Sequence, residues 1–193
     1  MMIRPACLAD LNACLALDAD SQTDHVWQME QRQENHSTLI RFQTVRLPRV
    51  MHVSYPRQRD DLFACWQNGA AVFVAADKPI PDPLPEEELL LEPLDYGKIF
   101  AYCQLNAHHW QKTAWITHLI VNRPFRRHSI GTALIKASIA WAKNEKLSRI
   151  MIAVQTKNYP AISFCEKLGF SFCGFNDYYF TNRDIALFFT LKV

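Results

Sequence analysis

The sequence predicts an α/β chain whose first half is mainly antiparallel strands and whose second half alternates strand, helix, strand and helix. Short β-branched and aromatic runs, bounded by Gly, Pro and polar residues, indicate strands up to residue 121. A longer segment after Phe125 carries apolar residues at helical spacing, which indicates a packed helix. With 49% hydrophobic residues in 193, the chain is predicted to be a single domain over residues 1–193.

The elements of the first half follow from short patterns. MMIRPA has the composition of a strand, and residues 8–18 have leucines at three- and four-residue steps, which predicts a helix. Residues 20–34 are polar and are predicted to be irregular. A strand is predicted over 37–47, a helical turn over 60–66 and a buried strand over 70–76. A hairpin is predicted from the runs 98–105 and 114–121.

The second half is better bounded. Before it, the Pro- and Glu-rich run near 78–95 predicts an exposed loop. A helix is predicted to end at about Lys146 and is followed by the strand RIMIAV. Pro160 suits a first helical position and Gly169 a terminator, so a second helix is predicted between them, before two final strands.

Composition narrows the function classes. The 21 basic and 19 acidic residues give a net charge of +2, which predicts no general affinity for nucleic acid or for a membrane surface. The opening residues contain no uninterrupted apolar run, so neither a secretory signal nor a membrane-spanning helix is expected there. A cytoplasmic location is therefore predicted. The six cysteines have irregular spacing, which predicts reduced thiols and no metal site.

The stretch FRRHSIGTALI, residues 125–135, places spare positive charge at the start of the predicted helix. The first N–H groups of a helix lack intrahelical partners and carry the positive end of its dipole, so they suit a phosphate. Arg126 and Arg127 would add charge, and Gly131 would let the backbone approach a ligand closely. A charged turn that only caps the helix remains the alternative.

The chain resembles the GNAT superfamily of N-acetyltransferases in the order of three motifs, ITHLIV, FRRHSIGTALI and NYPAISFCEKLGF. Its ending is similar to that of the streptothricin acetyltransferase-like members, with the residues GFNDYYFTNRDIALFF. The resemblance implies a mixed, mostly antiparallel central sheet flanked by helices, with acetyl-CoA as co-substrate. Ser129 stands where the family has its first loop glycine. The implied cofactor-binding residues are Leu119, Ile120, Val121, Arg126, Arg127, His128, Ser129, Ile130, Gly131, Thr132, Asn158 and Phe164.

The proton-handling residues are left open by the sequence. Cys165 fills a position where family members often place a tyrosine acid, but it also lies on an apolar helical stripe and could be a packing residue. The family's base positions correspond to Trp115, Thr117 and Ala153, none of which is a base. His118 is adjacent, and strand alternation predicts that it faces away from them, as a structural or a proton-handling residue.

The acceptor side has its own candidates. Asp177, Tyr178, Tyr179 and Asp184 would suit a cationic amine, although a hairpin turn explains them equally well. A second set of candidates lies after the first helix, namely Asp24, His25 and Trp27.

The resemblance implies an enzyme that moves an acetyl group from acetyl-CoA to a primary amine of a small molecule, directly and in a ternary complex. The alternatives are acetylation of a protein amino terminus or lysine, and a non-catalytic acyl-CoA sensor. The hydrophobic final strands leave a homodimer possible.

Overall fold

The computed structural model describes residues 1–80 and 97–193. Most of the loop predicted near 78–95 therefore lies outside the described residues. The described elements are, in chain order, β1 (Met2–Pro5), α1 (Asp10–Leu15), β2 (Ser21–Glu34), β3 (Ser37–Val53), α2 (Leu62–Gln67), β4 (Ala71–Ala76), β5 (Ile99–His108), β6 (Thr113–Val121), α3 (Ile130–Asn144), β7 (Arg149–Gln155), α4 (Tyr159–Lys167), β8 (Ser171–Asn176) and β9 (Ala186–Lys192).

The chain divides into two compact units. Unit 1 contains Met1–Ala19, Gln58–Ile150 and Lys192–Val193, and unit 2 contains Asp20–Arg57 and Met151–Leu191. The boundary falls inside β7. That the whole chain is one domain stays a prediction.

Unit 1 is built on antiparallel strands in the order β1-β4-β5-β6. The predicted hairpin is present, with Ala101 opposite Val121 and His108 opposite Thr113. Helix α3 covers one face, where the Cys103 thiol on β5 lies 3.5 Å from the Ser138 hydroxyl. The core of this unit is apolar and includes Val74, Leu105, Ile116, Leu134 and Ile135.

Unit 2 contains a long ribbon of β2 and β3, which corrects the prediction that residues 20–34 are irregular. The strands pair from Ser21 opposite Val53 to Glu34 opposite Ser37. Much of β2 is polar on both faces because the ribbon is largely exposed, and a two-sided polar strand has no alternating pattern. The strand predicted over 37–47 continues through Pro48. The pairing register shifts between Thr23 and His25, so residues 47–50 have no partner on β2. Pro48 is tolerated there because no ladder hydrogen bond requires its missing N–H.

An aromatic cluster stabilises unit 2. The Trp27 ring lies 6.1 Å from Phe42, 6.0 Å from Phe172 and 6.0 Å from Phe189, measured between ring centroids. Aromatic pairs at this spacing add to the free energy gained by burial. The cluster therefore packs β2 and β3 against β8 and β9, which pair antiparallel with each other. None of the helices that the structure describes is long and apolar enough to cross a membrane.

Candidate cofactor and catalytic site

The loop between β6 and α3 is held by Arg126. Its Nε donates to the backbone oxygen of Val121 at 2.8 Å, and its Nη2 donates to the backbone oxygen of Asp18 at 3.0 Å. The guanidinium therefore positions the loop against the end of β6 and the residues after α1. Sequence reasoning gave Arg126 a direct charge role, and these bonds give it a positioning role as well.

The start of α3 presents its backbone amides as the sequence predicts. The first bond of the helix runs from the Ala133 amide to the Ser129 oxygen at 3.0 Å. The amides of Ile130, Gly131 and Thr132 precede that bond, and the first N–H groups of any helix lack intrahelical acceptors. These amides and the helix dipole form a cradle suited to a phosphate.

The loop just before the cradle contains two non-glycine residues whose backbone is in the left-handed region. Arg127 has φ +69° and Ser129 has φ +60°, while the His128 Nδ1 lies 2.8 Å from the Arg126 oxygen. The position of the family's first loop glycine thus adopts a positive φ in this chain, as that glycine could do without strain. Left-handed backbone next to a helix start turns successive N–H groups toward one point, which is a recurrent anion-binding geometry.

A β-bulge in β6 changes which side chains share a face. Gln104 lies opposite His118, but the next residue of β5, Leu105, lies opposite Ile116, so Thr117 is an extra residue on β6. The Thr117 hydroxyl accepts a hydrogen bond from the Asn106 Nδ2 at 2.9 Å, which places it on the face of β5 that carries Asn106 and Gln104. The prediction that His118 faces away from Thr117 is wrong, because strand alternation fails at a bulge.

His118 is buried on that face of unit 1. Its side chain is 2% exposed, and its ring centroid lies 6.1 Å from that of Tyr102. Trp115 lies opposite Asn106, so it joins His118 and Thr117 on the same face. The imidazole therefore lies on the same face as Trp115 and Thr117. His118 directly precedes Leu119–Val121, and these residues pair with β5 without a register shift.

Comparison with known proteins decides the family. Residues 47–170 match the model of the acetyltransferase (GNAT) family, which is more than half of the chain. The chain belongs to this family. The matched residues include β6, the amide cradle of α3 and helix α4.

Relatives and solved structures agree with this GNAT assignment. The chain is 30% identical over 74 residues to streptothricin acetyltransferase of Escherichia coli, a match that spans 38% of this chain and 42% of that relative. The crystal structure of nourseothricin acetyltransferase is similar with a TM-score of 0.76 at 18% identity, over 99% of this chain and 97% of the other.

Two further structures show how widely the fold is shared. A putative streptothricin acetyltransferase from Bacillus anthracis, in complex with acetyl coenzyme A, has a TM-score of 0.72 at 20% identity, over 100% of this chain and 99% of the other. The ribosomal-protein-S18-alanine N-acetyltransferase of Escherichia coli has a TM-score of 0.62 at 15% identity, over 100% and 93%. The predicted family and fold class are confirmed. Fold alone does not select the acceptor.

Among the GNAT candidates for a proton donor, Cys165 lies on α4 in unit 2 and is 2% exposed. Burial raises the pKa of this thiol to about 12. A thiol with so high a pKa is a poor acid toward a thiolate of ordinary basicity near 8.5. The burial and the pKa together favour the packing interpretation of Cys165.

Asn158 and Phe164 are the remaining GNAT cofactor candidates: Asn158 is the N-cap of α4, and Phe164 lies within that helix. The Asn158 Oδ1 caps the helix by accepting a hydrogen bond from the Ala161 amide at 3.2 Å. Because the cap uses the side-chain oxygen, the NH₂ group of Asn158 can donate a hydrogen bond in a different direction. Phe164 is half-buried. A pantetheine contact for either residue stays a prediction.

The acceptor candidates of unit 2 separate into exposed and engaged residues. Asp177 and Tyr178 lie in the turn after β8, where the Tyr178 side chain is 84% exposed. Asp184 is engaged, since Oδ2 accepts from Gln155 Nε2 at 2.7 Å and from Asn182 Nδ2 at 2.9 Å, while Oδ1 pairs with the Lys157 ammonium. The turn interpretation therefore fits Asp177 and Tyr178 better than it fits Asp184.

Tyr179 is engaged through a residue that the sequence did not single out. The Arg57 Nη2 donates to the Tyr179 hydroxyl at 2.9 Å, and the guanidinium lies 5.0 Å from the centre of that ring. No local motif marks Arg57, because its partner lies 122 residues away in the chain.

The early candidates lie on β2. The Asp24 Oδ1 lies 2.8 Å from the His25 Nδ1, and the His25 ring lies 5.3 Å from Tyr159 at the start of α4. Trp27 belongs to the aromatic cluster, which supports its ordinary interpretation as an anchor. Within residues 1–80 and 97–193, no three His, Cys, Asp or Glu side chains form a group that could hold a metal ion.

Replacing Ser129 with glycine is expected to stabilise the protein by about 0.5–1 kcal/mol, because a left-handed non-glycine residue costs about 1–2 kcal/mol and glycine's extra freedom in the unfolded chain returns part of that gain. The affinity for acetyl-CoA should change by less than about twofold, since the amides keep their positions. Thermal unfolding and calorimetry measure the two quantities. Lys146→Gly, at φ +56° beyond the other end of α3, is the matched control and should stabilise similarly. A loss of affinity in Ser129→Gly alone would show that the serine hydroxyl contacts the cofactor.

Proposed function

We propose that this chain is an acetyl-CoA-dependent N-acetyltransferase that acetylates a primary amine of a small molecule by direct transfer in a ternary complex. The observation that carries the proposal is the amide cradle at the start of α3 in a chain of the GNAT family. The cradle residues Ile130, Gly131 and Thr132 are proposed to hold the pyrophosphate of acetyl-CoA through their backbone N–H groups. Acetyl-CoA, when bound, supplies the thioester that is broken in the reaction.

The transfer needs a donor to the thioester oxygen and an acceptor for the amine proton. Backbone N–H groups within Leu119–Val121 are proposed as donors to the oxyanion. The amine nitrogen forms a bond to the carbonyl carbon, and the C–S bond breaks with its electron pair going to the CoA sulfur. The thiolate so formed takes up, by way of the base or of solvent, the proton that the amine loses, so the reaction needs no further reactant. His118 is proposed to accept the proton that the amine loses, because the bulge at Thr117 places its imidazole on the same face as Trp115 and Thr117.

A small-molecule acceptor is supported by the names of two similar proteins. Streptothricin acetyltransferase and nourseothricin acetyltransferase are named for small-molecule acceptors.

The test is the release of free thiol from acetyl-CoA with a panel of amines, namely polyamines, aminoglycoside-like and streptothricin-like amines, lysine-containing amines and short peptides. Turnover with small amines at least about tenfold above peptides in kcat/KM is expected. Turnover with peptides alone would assign a protein acceptor instead. Tight binding of acetyl-CoA by calorimetry with no turnover on any amine would leave a non-catalytic sensor.

A further inference from the structure

An aspartate and a histidine near the start of β2 form a hydrogen-bonded pair in unit 2. The Asp24 Oδ1 lies 2.8 Å from the His25 Nδ1. This hydrogen bond is the main cause that lowers the pKa of the Asp24 carboxyl, so the carboxylate is ionised near neutral pH. Because a carboxylate only accepts hydrogen bonds, Nδ1 carries the hydrogen and Nε2 of the neutral ring is an acceptor. The pair has the arrangement of a base that a carboxylate orients.

The backbone around His25 is held on both sides. The Thr23 side chain is buried, and its hydroxyl donates to the His25 backbone oxygen at 2.6 Å and accepts from the His25 N–H at 3.2 Å. Two residues later, the Trp27 N–H donates to the Thr156 oxygen at 2.9 Å, which ties β2 to the residues before α4. These bonds lie at the register shift between Thr23 and His25, so the bulge itself fixes where the imidazole stands.

The His25 ring is packed on one side and open on another. Its centroid lies 5.3 Å from that of Tyr159, the first residue of α4, and the side chain is 31% exposed. The charged and titratable groups that neighbour the ring are Asp24 beside it, Tyr159 on α4, and Arg46 opposite it on β3. Its Nε2 makes no hydrogen bond to any residue in 1–80 or 97–193. This nitrogen can therefore meet a ligand and exchange a proton with water.

We propose that the Asp24–His25 pair removes the first proton from the acceptor, which arrives as an ammonium ion. An amine of lysine type, with a pKa of about 10.4, is almost fully protonated at pH 7 and has no free electron pair for attack. One N–H bond of the ammonium breaks, the proton goes to the His25 Nε2, and the electron pair stays on the amine nitrogen. The Asp24 carboxylate stabilises the imidazolium, which passes the proton to bulk water through its exposed edge.

This inference rests on the proposed function and adds a step before the acetyl transfer. The amine that His25 has made neutral attacks the thioester, and the second proton is the one that His118 is proposed to accept. An ammonium acceptor thus loses two protons in each turnover: one reaches the solution through His25, and one ends on the CoA thiol. Tyr159 directly follows Asn158, the candidate for the pantetheine contact, so the pair lies at the end of α4 where the cofactor arm is proposed to bind.

The test compares His25→Gln with His52→Gln, the matched control. The His52 Nε2 lies 3.4 Å from the Asp20 Oδ2, so the control also removes an exposed imidazole beside a carboxylate of unit 2. With the panel amine of highest turnover, His25→Gln is expected to lower kcat/KM about 100-fold at pH 7. Its deficit should shrink to within about threefold near pH 9.5, because solution then supplies the neutral amine. His52→Gln should match the natural chain at both pH values.

Two further readouts separate a proton role from a structural one. The affinity for acetyl-CoA and the melting temperature of His25→Gln should equal those of the natural chain. Added imidazole should raise kcat/KM of His25→Ala at pH 7, because the vacated position is open to solvent. The deficit of His118→Gln should persist at both pH values, since its proton is lost during the transfer itself.

The outcomes distinguish this inference from the proposed function. Equal kcat/KM at pH 7 in His25→Gln and the natural chain would overturn the inference and leave the proposed function standing. A deficit that stays constant between pH 7 and about 9.5 would also overturn it, because the ring would then only position the acceptor. Absence of turnover in the natural chain on every amine would overturn the proposed function, and the inference with it.

Discussion

Replacing Gly131 with glutamate is expected to raise the dissociation constant for acetyl-CoA at least about 100-fold. The carboxylate would stand at the amide cradle, where two like charges about 4 Å apart repel by roughly 4 kcal/mol at an effective dielectric constant of 20. That energy corresponds to about a thousandfold in affinity, and solvent exposure of the new side chain reduces it. Isothermal titration calorimetry with acetyl-CoA measures the change.

The same substitution should not harm the free protein. A carboxylate in the first turn of a helix interacts favourably with the helix dipole, so the melting temperature of Gly131→Glu should stay level or rise. Ala140→Glu is the matched control, because it adds the same charge to an exposed position in the middle of α3. Its affinity should lie within about twofold of the natural chain. An unchanged affinity in Gly131→Glu would show that the pyrophosphate binds elsewhere.

The sequence was informative where one residue pattern corresponds to one structure. The hairpin of β5 and β6 was predicted because two runs of β-branched, aromatic and other apolar residues flank a polar connection, and α4 because Pro160 and Gly169 mark its two ends. The α3 cradle was predicted for the same kind of reason, since the amides at a helix start are available whatever the side chains are.

The sequence was uninformative where one residue changes the phase of a pattern. The bulge at Thr117 reverses the facing of His118, and no glycine or proline marks it, because a bulge of this kind needs only one extra residue between two registers. Strand β2 was missed for a related reason, since only the part of the ribbon around Trp27 is packed, and the largely exposed remainder has no apolar side to give it a period of two.

Ser129 shows a third limit. Its positive φ could not be predicted from the residue type, because residues with a Cβ seldom adopt the left-handed region. Ser129 adopts this backbone in a loop that Arg126 anchors to the Val121 and Asp18 carbonyls. The family's glycine preference is thus met here by local strain.

Replacing His118 with glutamine is expected to lower kcat about 100-fold or more while leaving the affinity for acetyl-CoA unchanged. A general base contributes roughly 10²–10⁴ to the rate, and glutamine keeps much of the volume and one hydrogen-bonding group of imidazole but cannot take up a proton. A loss confined to kcat is the signature of an interaction made in the transition state, whereas a packing defect at this buried position would lower the melting temperature first. Steady-state kinetics with the best amine of the panel, calorimetry and thermal unfolding give these readouts.

Cys165→Ala is the comparison variant for this experiment, since the thiol is also buried and was the other proton-handling candidate. It should retain most of kcat, because a group with a pKa of about 12 contributes little as an acid to a departing thiolate. Some loss of stability is expected from the small cavity. A large fall in kcat for Cys165→Ala, with kcat of His118→Gln unchanged, would contradict both assignments. The thiol would then act as the acid, and the bulge in β6 would only shape the strand.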